Sequence, residues 1–204
     1  MRASLSTVWN ALILTSLVVL AGGAAAGGGQ RPGLIRGDGP QLILDESVAA
    51  DFRALAVETW ERFLTVFRAR QDCFGDVHLK AADRLDSRAD YDPETATASV
   101  RVPATAAMLQ SALIHEWAHH VEFQCKAQRD LRAAFLAAQG LPPDTPWRAE
   151  GAGAKMPTSA WAEMPSEQYA EATITLVLGG RPVPTKARIT KEAVGVIENW
   201  AAGD

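Results

Sequence analysis

Residues 112–120 read ALIHEWAHH, and this stretch decides how the rest of the chain is interpreted. His115, Glu116 and His119 form an H-E-x-x-H pattern within it. Residues four apart share one face of a helix, so the two imidazole rings can point at one metal ion. Glu116 follows about 100° further round the helix, beside that metal and not on it. A base for a metal-bound water belongs there, so the pattern predicts a catalytic zinc helix.

The sequence around this pattern predicts a long helix buried in the core. No proline or glycine occurs from residue 104 to residue 125, and apolar residues fall on both sides of the helical wheel. An unpaired histidine on such a helix would be costly. A chance pattern on a polar face and a purely structural metal site are the alternatives. His120 points about 140° away from His115, so we do not expect it to be a ligand.

The composition favours a globular protein that does not bind nucleic acid. The chain has 204 residues, of which 48% are hydrophobic, enough for one sizeable core. Its net charge of −4 gives no support to nucleic-acid binding, which normally requires a basic face.

The first 26 residues predict a secretory signal peptide. Arg2 precedes an apolar run over residues 8–20, and the alanines at 24–26 offer an A-x-A-type cleavage site. The run is short for a membrane span, and an uncleaved anchor is the alternative. We therefore expect a secreted or extracytoplasmic protein. Residues 27–44 are predicted to be a flexible linker with a short strand at 41–44, followed by one domain over residues 45–204.

The chain has two cysteines, Cys73 and Cys125. An even number in an exported protein suggests a disulfide. Closing the loop between them would stabilise the fold by roughly 4 kcal/mol in the chain-entropy model. Two buried free thiols are the alternative.

The pattern before the zinc helix predicts a helix and then a sheet. Asp45 is expected to cap a helix that reaches to about Arg70, with apolar residues at three- and four-residue steps. Residues 76–102 alternate and contain turn signals, which predicts a small, mainly antiparallel sheet ending in a strand at 97–102. His78 is expected to be a strand residue near the surface.

The chain after Cys125 predicts three more helices and one long loop. The first helix would run from Lys126 to about Ala138, and Thr190 would cap the last. The proline-rich residues 140–164 are predicted to form part of a cleft wall.

The helix predicted between these two is the best source of a third zinc ligand. Residues 166–172 read SEQYAEA, and Pro165 fits the first turn of a helix ending near Leu178. A catalytic zinc usually has three protein ligands. Glu167 and Glu171, one turn apart, offer one carboxylate for the metal and a second for a histidine N–H.

Together these motifs resemble the gluzincin metallopeptidases, the thermolysin-like group that binds zinc with two histidines and a glutamate. They are most similar to the catalytic domain of the anthrax lethal factor type, whose glutamate helix has the form E-F-F-A-E-A, where this chain has EQYAEA at 167–172. The resemblance covers the two motif helices and their separation. It implies that Glu167 is the zinc ligand and Glu171 the residue behind a histidine ligand.

The resemblance further implies an α+β, zincin-like fold and a secreted zinc-dependent metallopeptidase, whose partner is a peptide or protein substrate. Zn²⁺ would activate a water, and Glu116 would take its proton and pass it to the leaving amine. One alternative is a zinc-containing binding or structural domain without turnover, with His78 or His120 as a fourth ligand. Another is a zinc hydrolase that acts on a non-peptide amide, such as a cell-wall crosslink.

The same resemblance suggests where a substrate lies. In zincin-like enzymes, the strand before the zinc helix forms the rim of the cleft. Ala98, Ser99 and Val100 would then pair their backbone with an extended substrate. An interior strand with both edges already paired is the alternative.

Overall fold

The structure is a computed structural model that describes residues 39–149 and 158–204. The predicted signal peptide and the first part of the predicted linker lie outside the described residues, as do residues 150–157 of the predicted loop. Among the helices that the structure describes, none is both long and apolar enough to cross a membrane.

The described chain forms a small sheet and a set of helices, an α+β arrangement. Its strands are β1 (Leu42–Leu44), β2 (Val77–Ala82), β3 (Ala89–Asp92) and β4 (Thr97–Arg101). Its α-helices are α1 (Ala50–Val66), α2 (Ala106–Gln124), α3 (Arg132–Gln139), α4 (Thr158–Glu163), α5 (Pro165–Leu178) and α6 (Lys191–Ala202). Because β1 already belongs to the sheet, the folded domain begins before residue 45.

The sheet has the strand order β1-β2-β4-β3, and the expectation of a mainly antiparallel sheet is wrong. β1 and β4 both run parallel to β2, and the β3–β4 pair is antiparallel. The reason lies in the connections. Helix α1 carries the chain from the end of β1 back to the start of β2, as parallel neighbours require. β3 then runs the opposite way at the edge, and a hairpin turn returns the chain into β4.

This order also corrects the expected substrate strand. β4 lies between β2 and β3, so both of its edges are paired. Ala98, Ser99 and Val100 therefore have no free backbone edge for a substrate, and Ala98 and Val100 are completely buried. Strand β3 is the edge strand on this side of the sheet.

Helix α1 is shorter than the pattern predicted. It begins at Ala50, because the carboxylate of Asp45 instead accepts the N–H of Ser47 at 2.9 Å and closes a turn. The helix ends at Val66 and buries one face. That face consists of Phe52, Ala56, Thr59, Trp60 and Phe63.

Helix α2 runs through the centre of the core. The Thr105 side chain accepts the N–H of Met108 and caps its start. Leu113, Ile114 and Trp117 are wholly buried. The Trp117 ring packs edge-on against Trp60 of α1, with ring centroids 4.9 Å apart. This packing fixes the rotation of α2 about its own axis, and with it the direction in which its other face points.

The end of α2 is fixed by the predicted disulfide. Cys125 follows the helix directly and is bonded to Cys73, which closes a 3₁₀ turn at Gln71–Cys73. The bridge joins the end of α2 to the segment between α1 and β2.

The C-terminal helices agree with the sequence pattern except for α4, which lies within the predicted loop. The predicted helix after Cys125 is a 3₁₀ segment, Lys126–Leu131, followed by α3. Helix α5 has its proline in the first turn, as expected. The Thr190 side chain caps α6 by accepting the N–H of Ala193 at 3.1 Å.

Candidate metal centre

Three side chains from two helices converge on one point. The distance from His115 Nε2 to Glu167 Oε2 is 3.1 Å, and from His115 Nε2 to His119 Nε2 it is 3.2 Å. His119 Nε2 lies 3.4 Å from Glu167 Oε2. These largely buried donors lie close enough together to bind one metal ion.

The helices position these donors in the way that the spacing suggested. The two histidines lie one turn apart on the face of α2 that points away from its core side. Glu167 lies in the first turn of α5, where its N–H donates to the carbonyl of Met164 at 3.1 Å. The N–H of Ser166 donates to the carbonyl of Trp147 at the same distance, which ties the start of α5 to the preceding loop.

Glu171 orients His115, as expected from its place one turn after Glu167. Its Oε1 lies 3.1 Å from His115 Nδ1, and its Oε2 pairs with Arg181 Nη1 at 2.6 Å. The Trp161 ring stacks over the His115 ring at 5.9 Å. With Nδ1 donating to a carboxylate, Nε2 of His115 is left free to bind a metal ion.

Glu122 holds His119 in the same way, and sequence reasoning missed it. Its Oε2 lies 3.1 Å from His119 Nδ1. The carboxylate also accepts the indole N–H of Trp147 at 2.8 Å and bonds from Arg148 at 2.6 and 2.7 Å. The i,i+3 spacing from His119 could have revealed Glu122. Nothing in the periodicity indicates Trp147 or Arg148, which come from a loop.

The charges of the site favour a cation between the carboxylates. Burial by itself lowers the pKa of His115, but hydrogen bonds to Glu167 and Glu171 outweigh it and raise that pKa to about 10. Burial tends to raise the pKa of Glu167, but hydrogen bonds from His115 and His119 hold it far below its usual range. Likewise, contacts with His119 and Arg148 overcome burial and lower the pKa of Glu122 to about 2. A metal cation would satisfy the same carboxylates and free the histidines of their protons.

Glu116 lies beside these donors without joining them. Its side chain is buried, with 6% of its surface exposed, and it lines the cleft next to His115. Among the described residues, none forms a hydrogen bond with its carboxylate. Burial raises the pKa of Glu116, and the neighbouring histidines oppose this increase only in part. A carboxylate whose pKa lies above its usual range is a stronger base than an exposed one, so Glu116 is suited to accept and return a proton.

His115, Glu116 and Glu171 line a cleft of about 360 Å³. Its walls come from the start of β3, from α2, from the α4–α5 region and from the segment after α5. They include Arg88, Ala89, Ala112, Trp161, Ile174 and Lys186. The cleft can therefore hold several groups of a ligand against the metal centre.

The other two histidines lie outside the cluster. His120 Nδ1 accepts the Tyr91 hydroxyl at 2.8 Å, and its Nε2 lies 3.2 Å from the carbonyl of Gly75. Burial lowers the pKa of His120 to about 4, so the ring is neutral. His78 is exposed on β2. The described residues offer no histidine, cysteine or carboxylate as a fourth member of the cluster.

Comparisons with family models, curated proteins and solved structures find no match to this chain. Function is therefore inferred from the site itself. The site combines a largely buried donor triad, a carboxylate behind each histidine, an adjoining cleft and a buried glutamate that has no hydrogen-bond partner among the described residues.

Proposed function

We propose that the protein is a secreted zinc-dependent metallopeptidase with a zincin-like fold. The spacing of the three donor atoms carries this proposal, since they lie 3.1, 3.2 and 3.4 Å apart. In a tetrahedral zinc site with bonds of roughly 2.0–2.1 Å, ligand atoms lie about 3.3–3.4 Å from one another. Two imidazoles and a carboxylate of this spacing fit Zn²⁺ without rearrangement.

The arrangement favours catalysis over a structural role. Structural zinc sites are closed by four protein ligands, whereas catalytic sites have three. Here three donors cluster, and Glu116 stands next to them on the cleft wall. A structural site has no use for a buried carboxylate that binds neither the metal nor any hydrogen-bond donor among the described residues.

The chain's own residues supply proton transfer and orientation. Zn²⁺ held by the triad would provide a Lewis acid that activates a water molecule and polarises a carbonyl. The Glu116 carboxylate would take a proton from the attacking water as its oxygen bonds to the carbonyl carbon, and would deliver that proton to the amine nitrogen as the C–N bond breaks. Glu171 and Glu122 fix the ring orientation of His115 and His119, so that both Nε2 atoms stay directed at the metal.

The free edge of β3, which pairs with no other described strand, is the best place for an extended peptide. Of its outward-facing groups, the Ala89 carbonyl accepts the Ser87 hydroxyl at 2.5 Å. The N–H of Arg101 donates to the carbonyl of Arg88 at 2.9 Å. Hydrogen bonding alternates along an antiparallel pair, so the backbone groups of Ala89 and Tyr91 point away from β4. Ala89 also lines the cleft. A peptide could therefore add to β3 as a further strand and cross the metal centre.

Export is supported by two features of the chain. The apolar N-terminal segment predicts a signal peptide. The Cys73–Cys125 disulfide is of a kind that persists in oxidising compartments.

Metal analysis combined with peptide-library cleavage tests this function. We expect one zinc per chain and cleavage that stops on chelation. The variant Glu116→Gln should keep the zinc and lose activity by about 10²–10⁴-fold or more, because proton transfer needs the carboxylate. Protein purified without chelator that lacks zinc would refute the proposal. So would a zinc-loaded Glu116→Gln variant that cleaves at the native rate.

A further inference from the structure

A second cavity, of about 240 Å³, lies beyond the C-terminal end of α2. Two aromatic rings, Phe123 and Trp147, form part of its wall. Its other lining residues are Glu122 and four cationic side chains, Lys126, Arg129, Arg132 and Arg148. We call this cavity the basic pocket.

The basic pocket carries a positive charge that its own acid does not neutralise. Glu122 pairs closely with Arg148, at 2.6 Å, and more loosely with Arg132, at 3.8 Å. Lys126 and Arg129 are exposed, and neither forms an ion pair with a described residue. Burial lowers the pKa of Arg132, and the charge of Arg129 lowers it further, so these cations lie close enough to repel one another. The whole chain has a net charge of −4, so this concentration of positive charge is local.

The wall of the basic pocket also offers apolar contact. The Arg148 guanidinium lies 4.5 Å from the centre of the Phe123 ring, and that of Arg132 lies 4.8 Å from Trp147. Phe123 is 45% exposed, the one large hydrophobic side chain among the described residues that is so exposed. A small inorganic anion would leave this ring uncovered. A peptide segment would cover it while a carboxylate meets the cations.

Strand β3 connects the basic pocket to the cleft. Ala89 lines the cleft, and two residues further on the Tyr91 ring lies 5.9 Å from Phe123. At about 3.4 Å per residue, this step along the strand is about 7 Å. A peptide lying along the free edge of β3 would thus reach the basic pocket within a few residues of the metal centre.

We propose that the basic pocket binds an acidic side chain of the peptide substrate, a few residues to one side of the bond that is cleaved. This inference rests on the proposed peptidase function, because that function places a peptide along β3. Lys126 and Arg129 are the cations free to meet the carboxylate, and Phe123 covers the neighbouring side chain.

Binding to a zinc-loaded Glu116→Gln background tests the proposal without turnover. Two fluorescent peptides are used that differ only in a pair of glutamates replaced by glutamines. We expect the acidic peptide to bind about tenfold more tightly, with a preference that weakens as salt is added. Adding Lys126→Gln and Arg129→Gln to the background should reduce the ratio of the two Kd values to about one. Adding Arg68→Gln, an exposed cation just after α1, is the matched control and should leave the ratio high.

Equal affinities for the two peptides in the Glu116→Gln background would overturn the proposal. A ratio that survives the Lys126→Gln/Arg129→Gln change would also overturn it. If inorganic phosphate or vesicles of anionic phospholipid bind through these two cations while both peptides bind alike, the basic pocket belongs to another ligand and the proposal is refuted. Cleavage is scored separately with the wild-type chain. Absent cleavage contradicts the proposed function, whereas the Kd ratio alone decides about the pocket.

Discussion

In the candidate metal centre, the Nδ1 atom of each histidine contacts a carboxylate, and each of these carboxylates forms an ion pair with an arginine. Glu171 and Arg181 support His115. Glu122 and Arg148 support His119. A buried carboxylate of this kind raises the basicity of the ring and fixes its tautomer. The guanidinium behind it offsets the cost of burying the negative charge.

We expect Glu122→Gln to weaken zinc binding by about 10–100-fold, because the amide no longer fixes the His119 ring with a charged acceptor. Competition with a calibrated chelator measures the change in Kd. Glu198→Gln, an exposed carboxylate on α6, is the matched control and should have wild-type affinity. Equal zinc affinities in the two variants would show that Glu122 only fills space.

The residues that the sequence could identify are those whose neighbours lie on the same helix. His115 with His119, and Glu167 with Glu171, each share a helix face, so periodicity alone predicts that they act together. Trp147 and Arg148 reach Glu122 from a loop. A loop residue has no period that fixes its direction, so only the folded chain reveals the contact.

At the scale of elements, strand positions were predictable but strand order was not. Alternation and turn signals identified β2 and β4, and the cap of α6 followed from local pattern. The disulfide was predicted from the even number of cysteines in an exported chain. Pairing depends on contacts between distant segments. Nothing in the residues of β4 indicates that β3 lies on its outer side. If β4 were the edge strand instead of β3, β4 would face the cleft.

We expect Ala89→Pro to raise KM for peptides strongly while zinc remains bound. The N–H it removes points to the free edge of β3 and has no partner in the sheet. Asp90→Pro is the matched comparison, because it removes an N–H directed at β4 and should lower thermal stability instead. Steady-state kinetics and thermal melts separate the two effects. Unchanged KM in a folded Ala89→Pro protein would exclude a substrate along this edge.

We expect the Cys73–Cys125 disulfide to stabilise the fold without touching the metal donors. The bridge joins the end of α2 to the segment after α1, a sequence separation of 52 residues. The double change Cys73→Ser/Cys125→Ser should lower the free energy of unfolding by up to about 4 kcal/mol. Chemical denaturation measures this loss, and zinc content should stay the same. Free thiols in the exported protein, seen by non-reducing mass spectrometry, would contradict the bridge.

At the scale of the whole molecule, helix α2 has one side that packs in the core and another that carries the candidate site. The core side of α2 packs Leu113, Ile114 and Trp117 against α1 and the sheet. Its other side carries His115 and His119, and it presents His115 and Glu116 to the cleft. Because Glu167 comes from α5, a bound metal would join two helices that are far apart in sequence. The donors are thus part of what holds α5 against α2.

Metal removal should therefore lower the stability of the whole fold. A ligand that binds only the folded chain stabilises it by about 2.7 kcal/mol at a concentration of 100 times its Kd. For a domain of this size, we expect chelation to lower the Tm by about 5–10 °C. Glu167→Ala should melt at a lower temperature than the zinc-loaded wild type, and chelator should hardly change its Tm. Calorimetry with and without chelator measures both.

A Tm that does not respond to chelator in the zinc-loaded wild type would show that the metal does not join α2 to α5. A Glu167→Ala variant with an undiminished response would show that the metal is held by other residues.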